Sequence, residues 1–187
     1  ALDAELTKFP GDTCQFSTAA ASAPLLHEPG EQWSYGINMD VLGCIVEVIS
    51  GKTFADYLQK NIFDPLNLKS IGFSVNSKDK NSFTTLYTSG AFSRDGEIVA
   101  PSGLNRSELM FSKDLRAIDK FDESPYLTNS SKLFDGGSGL VSNIDDYSKF
   151  AEMLLNGGIL NGVRILSKAS VDLMSRNHVS DDILTDG

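Results

Sequence analysis

The sequence predicts an α+β domain that is mostly helical, with a minor β-hairpin component. Three observations carry this reading. Apolar residues recur at helical spacing in four stretches, capping and stop residues stand at the ends of those stretches, and the extended segments are few, short and set beside tight-turn residues.

Over residues 38–49 nearly every position is apolar, with Leu42, Ile45, Val46 and Ile49 at helical spacing and Val41 and Val48 on another side. A helix is predicted over 39–50, buried on several faces. Ser50-Gly51 ends it, because glycine accepts the left-handed conformation of a helix stop. Thr53 and Asp56 read as an N-cap and its helper for a second helix over 53–63, whose Phe54, Tyr57, Leu58 and Ile62 form an apolar stripe that Pro65 prevents from continuing.

Between residues 69 and 133 the texture turns to Ser, Asn, Lys and Asp. Residues 83–88 and 97–99 are short extended candidates, and Arg94-Asp95-Gly96 between them is a turn signal, so a small hairpin is expected. The rest, through residues 105–132, reads as long loop with at most short helices. Order returns at Ser142, read as a cap with Asp145 three residues on, for a helix over 143–156 carrying Ile144, Tyr147, Ala151, Leu154 and Leu155. Gly157-Gly158 stops it, Asn161-Gly162 makes a tight turn, and Ser167 begins a last helix over 168–175 with Val171, Leu173 and Met174 toward a core.

The chain has 187 residues, 41% of them hydrophobic and 22% charged, ordinary for a soluble globular domain. A net charge of −9 and the lack of a basic stripe argue against a nucleic-acid partner, whose phosphates would be repelled. The longest apolar run, residues 41–49, is interrupted by Gly43 and Glu47 and is far short of a membrane-spanning segment. Cys14 and Cys44 are able to pair in principle, but Cys44 lies in an apolar helical stretch where a buried free thiol is the simpler reading. His27 and His178 have no metal-ligand neighbours at zinc-type spacing and read as satisfied surface residues, so no cofactor is expected.

The string Glu28-Pro29-Gly30-Glu31-Gln32-Trp33-Ser34-Tyr35-Gly36-Ile37-Asn38-Met39-Asp40-Val41-Leu42-Gly43 resembles the tyrosine motif of the serine β-lactamase and penicillin-binding-protein-like hydrolases, with Gly36 departing from the serine that usually follows the tyrosine. Gly51-Lys52-Thr53-Phe54, then Ile62-Phe63-Asp64-Pro65-Leu66-Asn67-Leu68, is similar to the continuation of that motif, with Asn67 in place of a glycine. Gly136-Gly137-Ser138-Gly139-Leu140-Val141-Ser142 through Asp146-Tyr147, and Leu154-Leu155-Asn156-Gly157-Gly158, resemble a third and a fourth segment. These signatures stand in order across residues 24–178, and their flavour is closest to class C β-lactamases and the related carboxylesterases.

The resemblance implies a β-lactamase/transpeptidase-like fold, acyl transfer through a serine, and a small-molecule ester, β-lactam or peptide substrate. It also favours a periplasmic or secreted location. The family's nucleophile belongs to a Ser-x-x-Lys motif ahead of the tyrosine, and a Lys-Thr-Gly or His-x-Gly motif follows near the C-terminus. Neither is found at those places, so residues 1–187 are read as a single domain portion, the middle helical part of a larger β-lactamase-related domain, inactive by itself. The Ser-x-x-Lys string at Ser77-Lys78-Asp79-Lys80 lacks the apolar period of a buried helix and reads as a solvated loop.

The resemblance makes Tyr35 the catalytic candidate. A free phenol, with a pKa of about 10, is a poor base at neutral pH, but beside a cationic lysine its ionised form is favoured and it shuttles a proton. Trp33, Asn38, Gly137 and Ser138 are the substrate-binding candidates. Asn38 also reads as a helix cap, one residue further from the tyrosine than the family's usual amide, and Trp33 as a hydrophobic anchor near the turn or a residue at the rim of the acyl pocket. The Gly136-Gly137-Ser138-Gly139 string lacks the preceding strand and the Gly-Lys-Ser/Thr ending of a nucleotide loop, and reads as a turn bringing backbone close to a site wall. The competing function is a non-catalytic binding or regulatory relative that keeps the fold without the nucleophile.

Overall fold

The computed structural model describes residues 11–75, 77–85, 87–89, 115–117, 132–179 and 183. The chain parts into two compact units, one of residues 11–73 and 132–187, the other of residues 1–10 and 74–131.

The first unit opens with a helix that the sequence reading did not anticipate, α1 (Thr13–Ala21). Its cap is a reciprocal pair: the Asp12 carboxylate accepts from the Gln15 N–H at 2.8 Å, and the Gln15 side chain accepts from the Asp12 N–H at 3.0 Å. Two of the helix's otherwise unpaired donors are satisfied this way.

Helix α2 (Asn38–Ser50) falls within one residue of its predicted span. Asn38 is its first residue and not its cap; the Ile37 carbonyl takes the Asp40 and Val41 N–H groups, and no side chain caps the end. Gly51 closes it at φ 66°, donating to the Glu47 carbonyl at 2.8 Å. The expectation of burial on several faces is corrected: Leu42, Ile45, Val48 and Ile49 are exposed, and the buried positions are Asp40 and Gly43. Small and polar residues are inside because α1 and the 136–137 backbone approach that side too closely for large ones. The thiols are corrected as well, since Cys14 and Cys44 form a disulfide that staples α1 to α2.

Thr53 caps α3 (Phe54–Leu58), accepting from the Asp56 N–H at 3.1 Å as expected. The single helix predicted over 53–63 is instead α3 followed by a π-helical turn, Gln59–Phe63. The Asp64 N–H reaches back five residues to the Gln59 carbonyl, and Leu68 does the same to Phe63. This wider winding precedes Pro65, which has no N–H to continue the helix. Phe63, Leu66 and Leu68 enter the core against Met153 and Leu160, with Ile62, Phe150, Leu154 and Ile165 around them.

Helix α4 (Ile144–Leu155) is capped by Asn143, not Ser142; the Asn143 side chain accepts from the Asp146 N–H at 2.8 Å. Strands β3 (Ile159–Leu160) and β4 (Val163–Arg164) pair antiparallel across Asn161-Gly162, which have φ of 49° and 82°. Both central residues are left-handed, as a type I′ hairpin turn requires. Ser167 caps α5 (Lys168–Met174) as predicted.

Asp146 ties these pieces together. Buried on α4, it accepts from the Lys69 and Ser70 N–H groups at 2.7 Å each and pairs with Lys149 at 2.8 Å. Burial works against its charge, but the Lys149 ammonium and the Ser70 and Lys69 N–H groups outweigh it and hold the carboxyl below the usual carboxylate range. Gly72 and Val141 exchange two further backbone hydrogen bonds nearby.

In the second unit, residues Ser77–Ser82 form a 3₁₀ turn with Lys78 and Lys80 exposed, not the buried α-helix that a Ser-x-x-Lys nucleophile needs. Strand β1 (Tyr87–Ser89), overlapping the extended candidate at residues 83–88, pairs antiparallel with β2 (Leu115–Ala117), which the sequence reading assigned to loop. The expected partner, residues 97–99, and the Arg94-Asp95-Gly96 turn lie outside the described residues.

Candidate active site

Tyr35 stands three residues ahead of α2 at the end of a turn that begins near Pro29. The turn is clasped by His27, whose Nε2 lies 2.9 Å from the Ser34 hydroxyl and whose Nδ1 lies 3.2 Å from the Glu28 carbonyl oxygen. Gly30, at φ 92°, lets the chain reverse. The Tyr35 side chain is 88% exposed, and Trp33 meets it edge to face with ring centroids 6.4 Å apart. Trp33 itself is exposed beside the phenol and is not a buried anchor. Asn38 is also exposed, on the first turn of α2.

The other candidates reach the same helix from far along the chain. The Gly137 N–H donates to the Asp40 carboxylate at 3.1 Å, on the helix turn that follows Tyr35. A Cβ on Gly136 would collide with the Met39 carbonyl oxygen, so this position has room only for glycine. Ser138 turns away, donating to Asp135 at 3.1 Å. The structure therefore brings Gly137 to the tyrosine helix and directs the Ser138 hydroxyl to its own loop.

Beneath this contact lies a buried polar junction that sequence reasoning missed. Thr13 Oγ1 donates to the Phe134 carbonyl at 3.2 Å and accepts from the Phe134 N–H at 3.0 Å. Ser17 donates to the Thr13 carbonyl at 2.9 Å, with the Asp40 carbonyl 3.4 Å away. Gly43 faces Thr13 and the Gly136 backbone, a Cβ there standing 3.5–3.6 Å from both. The Asp12-x-x-Gln15 capping signal was the available clue to α1, and with it to Thr13 and Ser17.

Asp135 sits beside this junction with one carboxylate oxygen buried and unbonded among the described residues. Burial pushes its carboxyl up, the Ser138 hydrogen bond pulls it down, and the Asp40 charge pushes it up again, leaving it above the usual range. Among the described residues no group of three or more His, Cys, Asp or Glu is arranged to hold a metal ion, and no helix is long and apolar enough to cross a membrane. Chemically, the site offers an exposed phenol, a neighbouring aromatic ring, and a glycine-rich backbone segment pinned to the helix that follows the phenol.

Comparison with known proteins matches the Beta-lactamase family over residues 3–185. The chain is 29% identical over 165 residues to Protein Rv1367c of Mycobacterium tuberculosis, an alignment spanning 88% of this chain and 35% of that one. It is 30% identical over 146 residues to Esterase EstB of Burkholderia gladioli, spanning 75% of this chain and 34% of the esterase. Among solved structures it superposes on EstCE1, described as a hydrolase with promiscuous acyltransferase activity, with a TM-score of 0.67, 26% identity and coverage of 96% of this chain and 44% of that one. The chain spans about a third of the length of the curated relatives it matches. With the family match running over nearly the whole chain, this chain belongs to the beta-lactamase family.

Proposed function

We propose that this chain is the helical middle portion of a serine hydrolase or acyltransferase acting on small ester or acyl substrates, in which Tyr35 moves the proton of the acyl-transfer step. The observation that carries the reading is the placement of Tyr35: an exposed phenol just ahead of α2, flanked by Trp33, with the Gly137 backbone fixed to the first turn of that helix. The nucleophilic serine and its lysine belong to parts of the protein outside residues 1–187. The lysine favours the phenolate, which takes the serine proton as the serine oxygen attacks the carbonyl and returns a proton to the leaving group. Trp33, Asn38, Gly137 and Ser138 are the substrate-facing candidates. Esterase EstB and EstCE1 support an ester or acyl substrate over a peptide. The Cys14–Cys44 disulfide supports a periplasmic or secreted location, because such bonds persist in oxidising compartments.

The test is chromogenic ester hydrolysis by the full-length protein, its Tyr35→Phe variant and the 187-residue chain alone. Tyr35→Phe keeps the ring and removes the ionisable atom, so kcat/KM is expected to fall about 10²- to 10⁴-fold, the range for loss of a general acid-base. Near-wild-type turnover in that variant would end the catalytic role of Tyr35. The isolated chain is expected to show background rates; turnover that disappears in Ser77→Ala would overturn the reading of the chain as a portion without its own nucleophile.

A further inference from the structure

Asp40 is one of four buried polar or charged residues described in the chain, with only 6% of its surface exposed. An acidic residue in a helix's first turn ordinarily faces water and interacts with the helix dipole. Asp40 instead points inward and accepts from a backbone N–H contributed 97 residues later in the chain, that of Gly137. The neighbouring Gly136 backbone lies against the Met39 carbonyl, and its Cα and N face Gly43 one turn further on. Three successive contacts therefore fasten one strip of backbone along the beginning of α2.

We infer that Asp40 is a positioning residue for the proposed acyl-transfer site, holding the 136–137 backbone in register against the helix turn that presents Tyr35. This rests on the reading of Tyr35 given above. The chemistry needed from Asp40 is a fixed acceptor at Oδ1, and its negative charge is incidental. An amide oxygen meets the same need, and a methyl group does not. With the acceptor gone, the Gly137 N–H loses its partner on α2 and the wall is free to shift relative to the phenol. A shift of this kind misplaces bound substrate in the transition state, so it lowers kcat more than it raises KM.

The experiment compares Asp40→Asn, Asp40→Ala and Tyr35→Phe in the full-length protein, using p-nitrophenyl ester hydrolysis and amide hydrogen exchange at Gly137. Asp40→Asn, which retains the acceptor, is expected to keep turnover within about 3-fold and to keep Gly137 protected. Asp40→Ala is expected to lose about 10- to 100-fold in kcat with a smaller change in KM, and to expose the Gly137 amide to exchange. Wild-type turnover in Asp40→Ala, unchanged Gly137 protection in that variant, or equal losses in the Asn and Ala variants would each overturn the inference. Failure of the underlying site reading looks different: Tyr35→Phe would then turn over like wild type while its Gly137 protection stays intact.

Discussion

Thr13 and Phe134, 121 residues apart, exchange two hydrogen bonds through a single hydroxyl: it donates to the Phe134 carbonyl and accepts from the Phe134 N–H. Thr13 is fully buried, so its hydroxyl has no water to replace these two partners. Thr13→Val preserves the shape and removes both bonds. Leaving an N–H and a C=O unpaired is expected to cost roughly 2–4 kcal/mol. Thr13→Ser, which keeps the hydroxyl, should cost clearly less. Urea unfolding midpoints of the two variants check this, and equal losses would mean that the methyl group carries the effect.

Adjacent glycines at the wall should behave unequally. Gly136→Ala drives a methyl into the Met39 carbonyl, whereas a methyl on Gly137 meets Met39 Cβ and the Asp40 carboxylate at 3.5–3.6 Å, ordinary contact distance. The first substitution is expected to destabilise by about 1–3 kcal/mol through backbone displacement and the second by much less. Thermal denaturation of both variants provides the comparison, and a tolerated Gly136→Ala would show that the wall lies further from α2.

Asp146 makes the fold acid-sensitive. Its folded carboxyl lies below the usual value, so its contribution to stability is fully present above the unfolded pKa of about 3.9 and is lost as pH falls through the lower folded value. Asp146→Ala removes that dependence and strands the Lys69 and Ser70 N–H groups, with an expected loss of roughly 2–4 kcal/mol at neutral pH. Melting temperatures of wild type and variant should converge as the pH is lowered below 4. A constant gap would remove the ionised carboxylate from the explanation.

Asp135 has the opposite sign. Its folded carboxyl is held above the usual range, so the native state binds the proton more tightly than the unfolded chain, and its charge penalises the fold once the pH exceeds the folded value. Asp135→Asn keeps an acceptor for Ser138 and removes the repulsion with Asp40. It is expected to stabilise at neutral pH by about 1 kcal/mol or less, with the gain shrinking as wild-type Asp135 becomes protonated in acid. Destabilisation at neutral pH would indicate that the Asp135 charge has a favourable partner.

What was legible in the sequence was local. Gly51, Thr53, Ser167 and the Asn161-Gly162 turn act on neighbours within a few residues, and the structure places each where its chemistry predicts. Tyr35 is a candidate only through the family motif around it. The Asn143 cap was displaced by one residue because Ser142 and Asn143 are both competent acceptors, and only backbone geometry chooses between them. The Cys14–Cys44 pairing depends on α1 bringing the two Cα atoms to 4.8 Å, and the Asp12–Gln15 signal for α1 was not recognised. Asp40 and Thr13 were invisible because their partners lie about a hundred residues away. The pattern in α2 identified sides that disfavour water, but hydrophobic spacing does not say what covers them.

Those open sides of α2 have a consequence for the behaviour of the chain in a test tube. Leu42, Ile45, Val48 and Ile49 form an exposed oily surface on a molecule that carries nine excess negative charges at neutral pH. Mutual repulsion keeps copies apart in dilute buffer, but its range is only about 10 Å at 0.1 M salt and about 3 Å at 1 M. Near the isoelectric point of 4.6 the repulsion vanishes altogether. The chain is therefore colloidally safest at neutral to alkaline pH and low ionic strength, and acid or concentrated salt turns the same helix into the place where copies stick together.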